Sequence, residues 1–138
     1  MSDEDDDAAG GDADGDDSIE KRLEAIKFGA DDGHAESMYL LGAAYMQGAG
    51  IEVDEQAAAK WFHEAAKRGH AKAKTSMAFL TATGRGVRRD AVRAYVLLAE
   101  AAASGDPSAT DMQFRLRKKM HESEIREAEK RIKNSATV

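Results

Sequence analysis

The stretch QGAGIEVD, residues 47–54, returns thirty-six positions later as TGRGVRRD, residues 83–90, with both glycines, a β-branched residue and the aspartate in register. Extended over residues 33–69 against 69–105, the same offset gives eleven identities in 37 gapless pairs. They include Gly33/Gly69, His34/His70, Ala58/Ala94, Glu64/Glu100 and Ala65/Ala101. A chain that repeats itself at such a period must bury each unit against its neighbours, because one unit alone cannot cover its own apolar face. The Gly-x-Gly pair invites a second reading as a phosphate-cradling loop. Phosphate loops are used once per domain, and neither copy supplies the lysine and hydroxyl that follow the glycines in such loops. The glycines are therefore read as a turn.

Each unit reads as a helix A, a turn, a helix B and a second turn. In the first unit helix A spans about Ala35 to Met46, with Ala35, Met38, Tyr39, Gly42, Tyr45 and Met46 at helical spacing. Gly42 leaves room for a neighbouring chain to approach. Asp54 and Asp90 stand where an N-cap belongs, and Ala58, Trp61, Phe62 and Ala65 form the inward stripe of helix B. Residues 18–30 resemble a lone helix B carrying Leu23, Ile26 and Ala30. After Asp106 and Pro107, which suit a helix start, a third helix A runs to about Lys119. The link MHES lacks the Gly-x-Gly turn and leads into a last helix from about Ser123 to Lys133.

The run Ala35, Glu36, Tyr39, Leu41, Gly42, Tyr45, Gly48, Gly50, Asp54, Ala58, Trp61, Ala65, Ala66 and Gly69 resembles the unit of the Sel1-like repeat family, a relative of the tetratricopeptide repeat. The second unit departs from it with Thr75 and Thr81 at the two tyrosine positions and Leu97 at the tryptophan. The resemblance implies an all-α fold, a short right-handed α-solenoid of stacked antiparallel helical hairpins with about seven helices. Full repeats fall at about 33–68 and 69–104, with partial capping repeats at 18–32 and 105–133, and residues 134–138 are expected to be disordered. It also implies an adaptor or scaffold of bacterial type, not an enzyme.

Composition agrees with helices: the sequence holds one proline, no cysteine and 6% aromatic residues, so a core must close by tight packing of small side chains. The absence of cysteine excludes disulfides and thiolate chemistry. The formal charge of −6 is unevenly placed, for residues 1–17 carry nine acidic and no basic side chains. Such a run is expected to be a disordered acidic tail. No signal-like or membrane-length apolar run is present, and a cytoplasmic location is expected.

Histidines His34, His63, His70 and His121 show no metal-binding or triad spacing, so no catalytic residue, metal or cofactor is expected. Two surfaces suggest binding instead. In helical-hairpin arrays the A helices line the concave side, which here gives Glu36, Leu40, Ala44, Gln47, Lys72, Ser76, Phe79, Leu80 and Thr83 as a face for a peptide or protein. A basic set, Arg85, Arg88, Arg89, Arg115, Arg117, Lys118 and Lys119, supports an alternative: an electrostatic module for an acidic protein or nucleic acid, with the tail as an intramolecular competitor. Nucleic acid is disfavoured because only Phe114 interleaves with those cations. Weak self-association through the terminal helices is a further expectation.

Overall fold

The computed structural model describes residues 18–136. The acidic tail of residues 1–17 and the last two residues lie outside them. Among the described residues the chain forms seven α-helices and no strand: α1 (18–31), α2 (Ala35–Gln47), α3 (Glu55–Lys67), α4 (Ala71–Thr83), α5 (Ala91–Ala103), α6 (Ser108–Arg117) and α7 (Glu122–Ala136). They stack as hairpins, with α2 on α3, α4 on both α3 and α5, and α5 on both α6 and α7. The A helices are α2, α4 and α6; the B helices are α1, α3, α5 and α7.

Small side chains let the helices close. Ala58, Ala65, Ala73, Ala78, Ala94, Ala101, Ala109 and Ala128 are completely buried, and Met38, Leu41, Phe62, Met77, Leu80 and Leu98 fill the space between them. A side chain at Gly42 would strike the Phe62 ring and the Ala58 carbonyl, so the close approach anticipated there is made by α3. Helix starts follow the expected chemistry. Asp54 accepts the Ala57 amide at 3.1 Å and Asp90 the Arg93 amide at 3.0 Å, each satisfying a donor that the helix cannot.

The turns after α2 and α4 are superimposable in conformation. Gly48 and Gly84 both take φ of 73° and close the preceding helix on the carbonyls of Ala44 and Leu80. The second glycine has a different duty. Gly86, at φ 75°, sits so tightly on the start of α3 that a β-carbon would overlap the Glu55 carbonyl group. Its counterpart Gly50 lies against α1 less tightly, where a β-carbon would meet the Ile19 side chain and not the backbone. Each turn thus grips the B helix of the unit before it, and the Arg85–Glu55 ion pair, 2.6 Å, clasps the same place.

The joint between successive units is built twice from different residues. At the first, Tyr39 stacks on His70 with ring centroids 4.7 Å apart, and Glu36 meets His70 Nε2 at 2.7 Å. His70 Nδ1 accepts the Ala73 amide, which puts its proton on Nε2 and makes the ring both an N-cap and a donor to Glu36. At the second joint the equivalent positions are Thr75, Asp106 and Lys72. Thr75 donates to the Asp106 carboxylate at 2.6 Å, and Ser108 donates to it from both amide and hydroxyl. Burial works to raise the Asp106 pKa, but the bonds from Thr75 and Ser108 and the charge of Lys72 outweigh it, and the carboxyl sits below the usual aspartate value. The threonine that replaces a family tyrosine therefore answers the aspartate that replaces a histidine.

The C-terminal hairpin departs from the sequence expectation at both ends. Helix α6 stops at Arg117, not Lys119, because Lys119 and Met120 turn back onto the carbonyls of Leu116 and Arg117. Helix α7 starts at Glu122, where Glu124 takes the His121 amide in a capping-box contact. It continues to Ala136, so residues 134–136 are helical and not disordered; no glycine or proline there breaks the helix. The stapling of α6 to α5 and α7 falls to Arg117, which bonds Tyr95 Oη at 3.1 Å and Glu129 at 2.8 Å.

Gly86→Ala is expected to lower stability by more than about 2 kcal/mol, from left-handed strain plus displacement of α3. Gly69→Ala, at φ 88° in open space, should cost only about 1 kcal/mol. Urea unfolding of the two variants measures the difference. For Asp106, a lowered folded pKa means its stabilisation is complete above the unfolded value of about 3.9 and is lost as pH falls through the folded one. Asp106→Asn should cost about 2 kcal/mol at neutral pH and flatten the acid limb of a pH–stability profile.

Candidate functional site: the face of the A helices

Three cavities run in succession across α1, α2, α4 and α6. The first, about 400 Å³, lies between α1 and α2 and is lined by Ile19, Ile26, Leu40, Ala43 and Gln47 among others. The second, about 260 Å³, lies between α2 and α4 and takes in Ala43, Met46, Gln47, Ser76, Phe79 and Met112. The third, about 250 Å³, lies between α4 and α6, around Phe79, Ala82, Thr83, Met112 and Leu116. Ala43 and Gln47 belong to the first two, and Phe79 and Met112 to the last two. Through those shared residues the three adjoin one another as a trough, and the last opens because α6 packs on α5 and scarcely meets α4.

Leu40 is 38% exposed and Phe79 39%, large apolar groups half in solvent on successive A helices. With Gln47, Ser76 and Thr83 they line the trough as the sequence predicts. Two predicted members do not present themselves to solvent. Leu80 is fully buried in the cluster of Ala58, Ala59, Phe62 and Met77, and Ala44 is buried with Leu23 and Leu41. The two occupy equivalent positions and fail for one reason: an A helix inside the stack packs on the B helix before it as well as on its own partner. Its dry arc is therefore wider than a single stripe. Glu36 and Lys72 stand at the edge, beside the joints described above, where they line a separate polar cavity with His70 and Asp106.

The basic residues divide. Arg89, Arg115 and Lys119 line the α4/α6 cavity together with Phe79. Arg85 is tied to Glu55, with its guanidinium 5.8 Å from the centroid of the Phe79 ring. Lys118 lies over Phe114 at 4.5 Å, and Arg88 is exposed outside the trough. Arg117 faces the other way, bound to Tyr95 and Glu129, and its guanidinium is held even more firmly charged by the Glu129 hydrogen bond and then by Tyr95. It is a brace between helices, not part of a charged patch. Met112 and Leu116, which the sequence did not single out, complete the trough floor with Ala43 and Met46. The i, i+4 spacing of Met112 and Leu116 was the available signal.

On the opposite side a cavity of about 320 Å³ lies among His63, Lys74, Met77, Arg93, Leu97 and Arg131. Among the described residues no helix is long and apolar enough to cross a membrane, and no group of three or more metal-ligating side chains gathers.

Comparison with known proteins follows the same architecture. The profile of the Sel1 repeat matches residues 35–70 and 71–106, cutting the cyclic unit two residues later than the sequence offset suggests. A protective antigen present in uropathogenic Escherichia coli strains, displaying an SLR fold, is similar with a TM-score of 0.76 and 28% identity, over 81% of this chain and 24% of its own. A Sel1 repeat protein from Oxalobacter formigenes is similar at 0.64 and 32% identity, over 66% of this chain and 37% of its own. Cysteine rich protein B of Helicobacter pylori shares the fold, with a TM-score of 0.65 and 17% identity, over 67% of this chain and 70% of its own. The chain thus spans about a quarter of the first of these and about a third of the second. No curated protein matches it.

The contrast between adjacent residues on α4 is open to measurement. Leu80→Ala should cost about 2–5 kcal/mol through the cavity it leaves, whereas Phe79→Ala, half exposed, should cost less than about 1 kcal/mol. Thermal unfolding of the pair would show the separation.

Proposed function

The chain belongs to the Sel1 repeat family, whose members generally mediate protein–protein interaction, and on that premise we propose that it is a non-enzymatic adaptor holding a segment of another protein along the face of α2, α4 and α6. The observation that carries the reading is the trough itself: linked cavities on successive A helices, with Leu40 and Phe79 half exposed within it. Half-exposed large apolar side chains gathered in one depression are the kind of surface that a partner covers. Gln47, Ser76 and Thr83 supply polar groups along the rim. The folded unit in this reading is residues 18–136, with α7 as its last helix.

Leu40→Glu with Phe79→Glu tests the proposal, since both positions accept charge without burying it. In a quantitative pull-down from native lysate, the double variant should lose whatever the intact chain captures while its circular dichroism stays helical. Equal capture by a folded double variant would remove the trough as the binding surface.

A further inference from the structure

The third part of the trough differs from the other two in charge. Its floor is apolar, from Phe79 and Ala82 on one side to Met112 and Leu116 on the other, and its rim carries Arg89, Arg115 and Lys119 with no carboxylate among the lining residues. These cations come from three separate places: the turn before α5, the last turn of α6 and the turn after it. Elsewhere in the described residues several basic side chains already hold a carboxylate. Lys67 and Arg68 hold Glu64, Arg85 holds Glu55, and Arg131 holds Glu127. Here Arg115 has only Asp111, one turn back on its own helix and itself exposed, a pair of little worth in water. The side chains of Arg89 and Lys119 have no hydrogen-bonding or ionic partner among the described residues.

Resting on the adaptor reading above, we propose that the α4/α6 groove selects an acidic segment of the partner protein in which a large aliphatic residue lies between carboxylates. The aliphatic side chain enters over Phe79, Met112 and Leu116, and the carboxylates reach Arg89 and Lys119. Both halves are needed. An apolar floor alone would accept any hydrophobic segment, and a basic rim alone would accept any polyanion. The protein's own residues 1–17 supply nine carboxylates but no leucine, isoleucine or valine, so they meet only the electrostatic half. Nucleic acid is the poorer fit because Phe79 is the one aromatic ring among the residues lining the groove, whereas binding of successive bases draws on several stacking rings.

Amide NMR titrations of the full chain separate the outcomes, using three probes at one low ionic strength. They are a peptide with two leucines set among glutamates, the same peptide with lysine for glutamate, and a single-stranded oligouridylate. The acidic peptide should shift Phe79, Thr83, Met112 and Leu116, and Arg89→Glu with Lys119→Glu should weaken it by about tenfold while amide dispersion stays native. Replacing its leucines by serine should weaken it as well. The proposal is overturned if the acidic peptide leaves those amides unmoved, if the charge-reversed variant binds it equally, or if the oligouridylate shifts the same amides as strongly. None of those results touches the parent reading, which stands or falls by whether the captured partner is lost on Leu40→Glu with Phe79→Glu.

Discussion

Each interior A helix is held between two B helices, and the alanines at those contacts set how closely the three can approach. Ala58 and Ala65 of α3, Ala73 and Ala78 of α4, and Ala94 and Ala101 of α5 have no exposed surface. Close approach brings the helix backbones near enough for Gly86 to rest on the start of α3. With so few large side chains in the chain, stability depends on that fit more than on area per residue. A single methyl group in the wrong place, as at Gly86, is therefore a large perturbation.

The same packing decides which side chains the A helices leave to solvent. Sandwiching buries a wide arc of α2 and α4, so that Leu80 and Ala44 are spent on the core and only a narrow strip remains for solvent. At the C-terminal end α6 leans on α5 and leaves the α4 side open. The third cavity opens in that gap, and Arg89, Arg115 and Lys119 stand at its edge.

The two joints show how a repeat tolerates divergence. A tyrosine–histidine stack flanked by Glu36 becomes a threonine–aspartate hydrogen bond flanked by Lys72. The charges at the paired positions have been exchanged together: an acidic residue beside a histidine in one, a basic residue beside an aspartate in the other. Thr75, which departs from the family pattern, and Asp106, which stands where the other units of this chain have His34 and His70, make sense as a pair. Either one alone would leave a buried polar group without its partner.

Local chemistry was legible in the sequence. The offset of thirty-six residues, the Gly-x-Gly turns and the capping aspartates Asp54 and Asp90 declare a stack of helical hairpins, because turn conformation and helix capping depend on residues only a few positions apart. Helix periodicity also placed Phe62, Ala58 and Ala65 inside. It could not show that Leu80 faces a second neighbour, since one helical stripe says nothing about how many helices surround it. Nor could it show that His70 caps α4 while bonding Glu36, that Arg117 turns towards Tyr95 and Glu129, or that Arg89, Arg115 and Lys119 share a rim with Phe79. Those facts join residues far apart in the chain. They were decided by tertiary packing, because only the stacked helices bring such side chains within reach of one another.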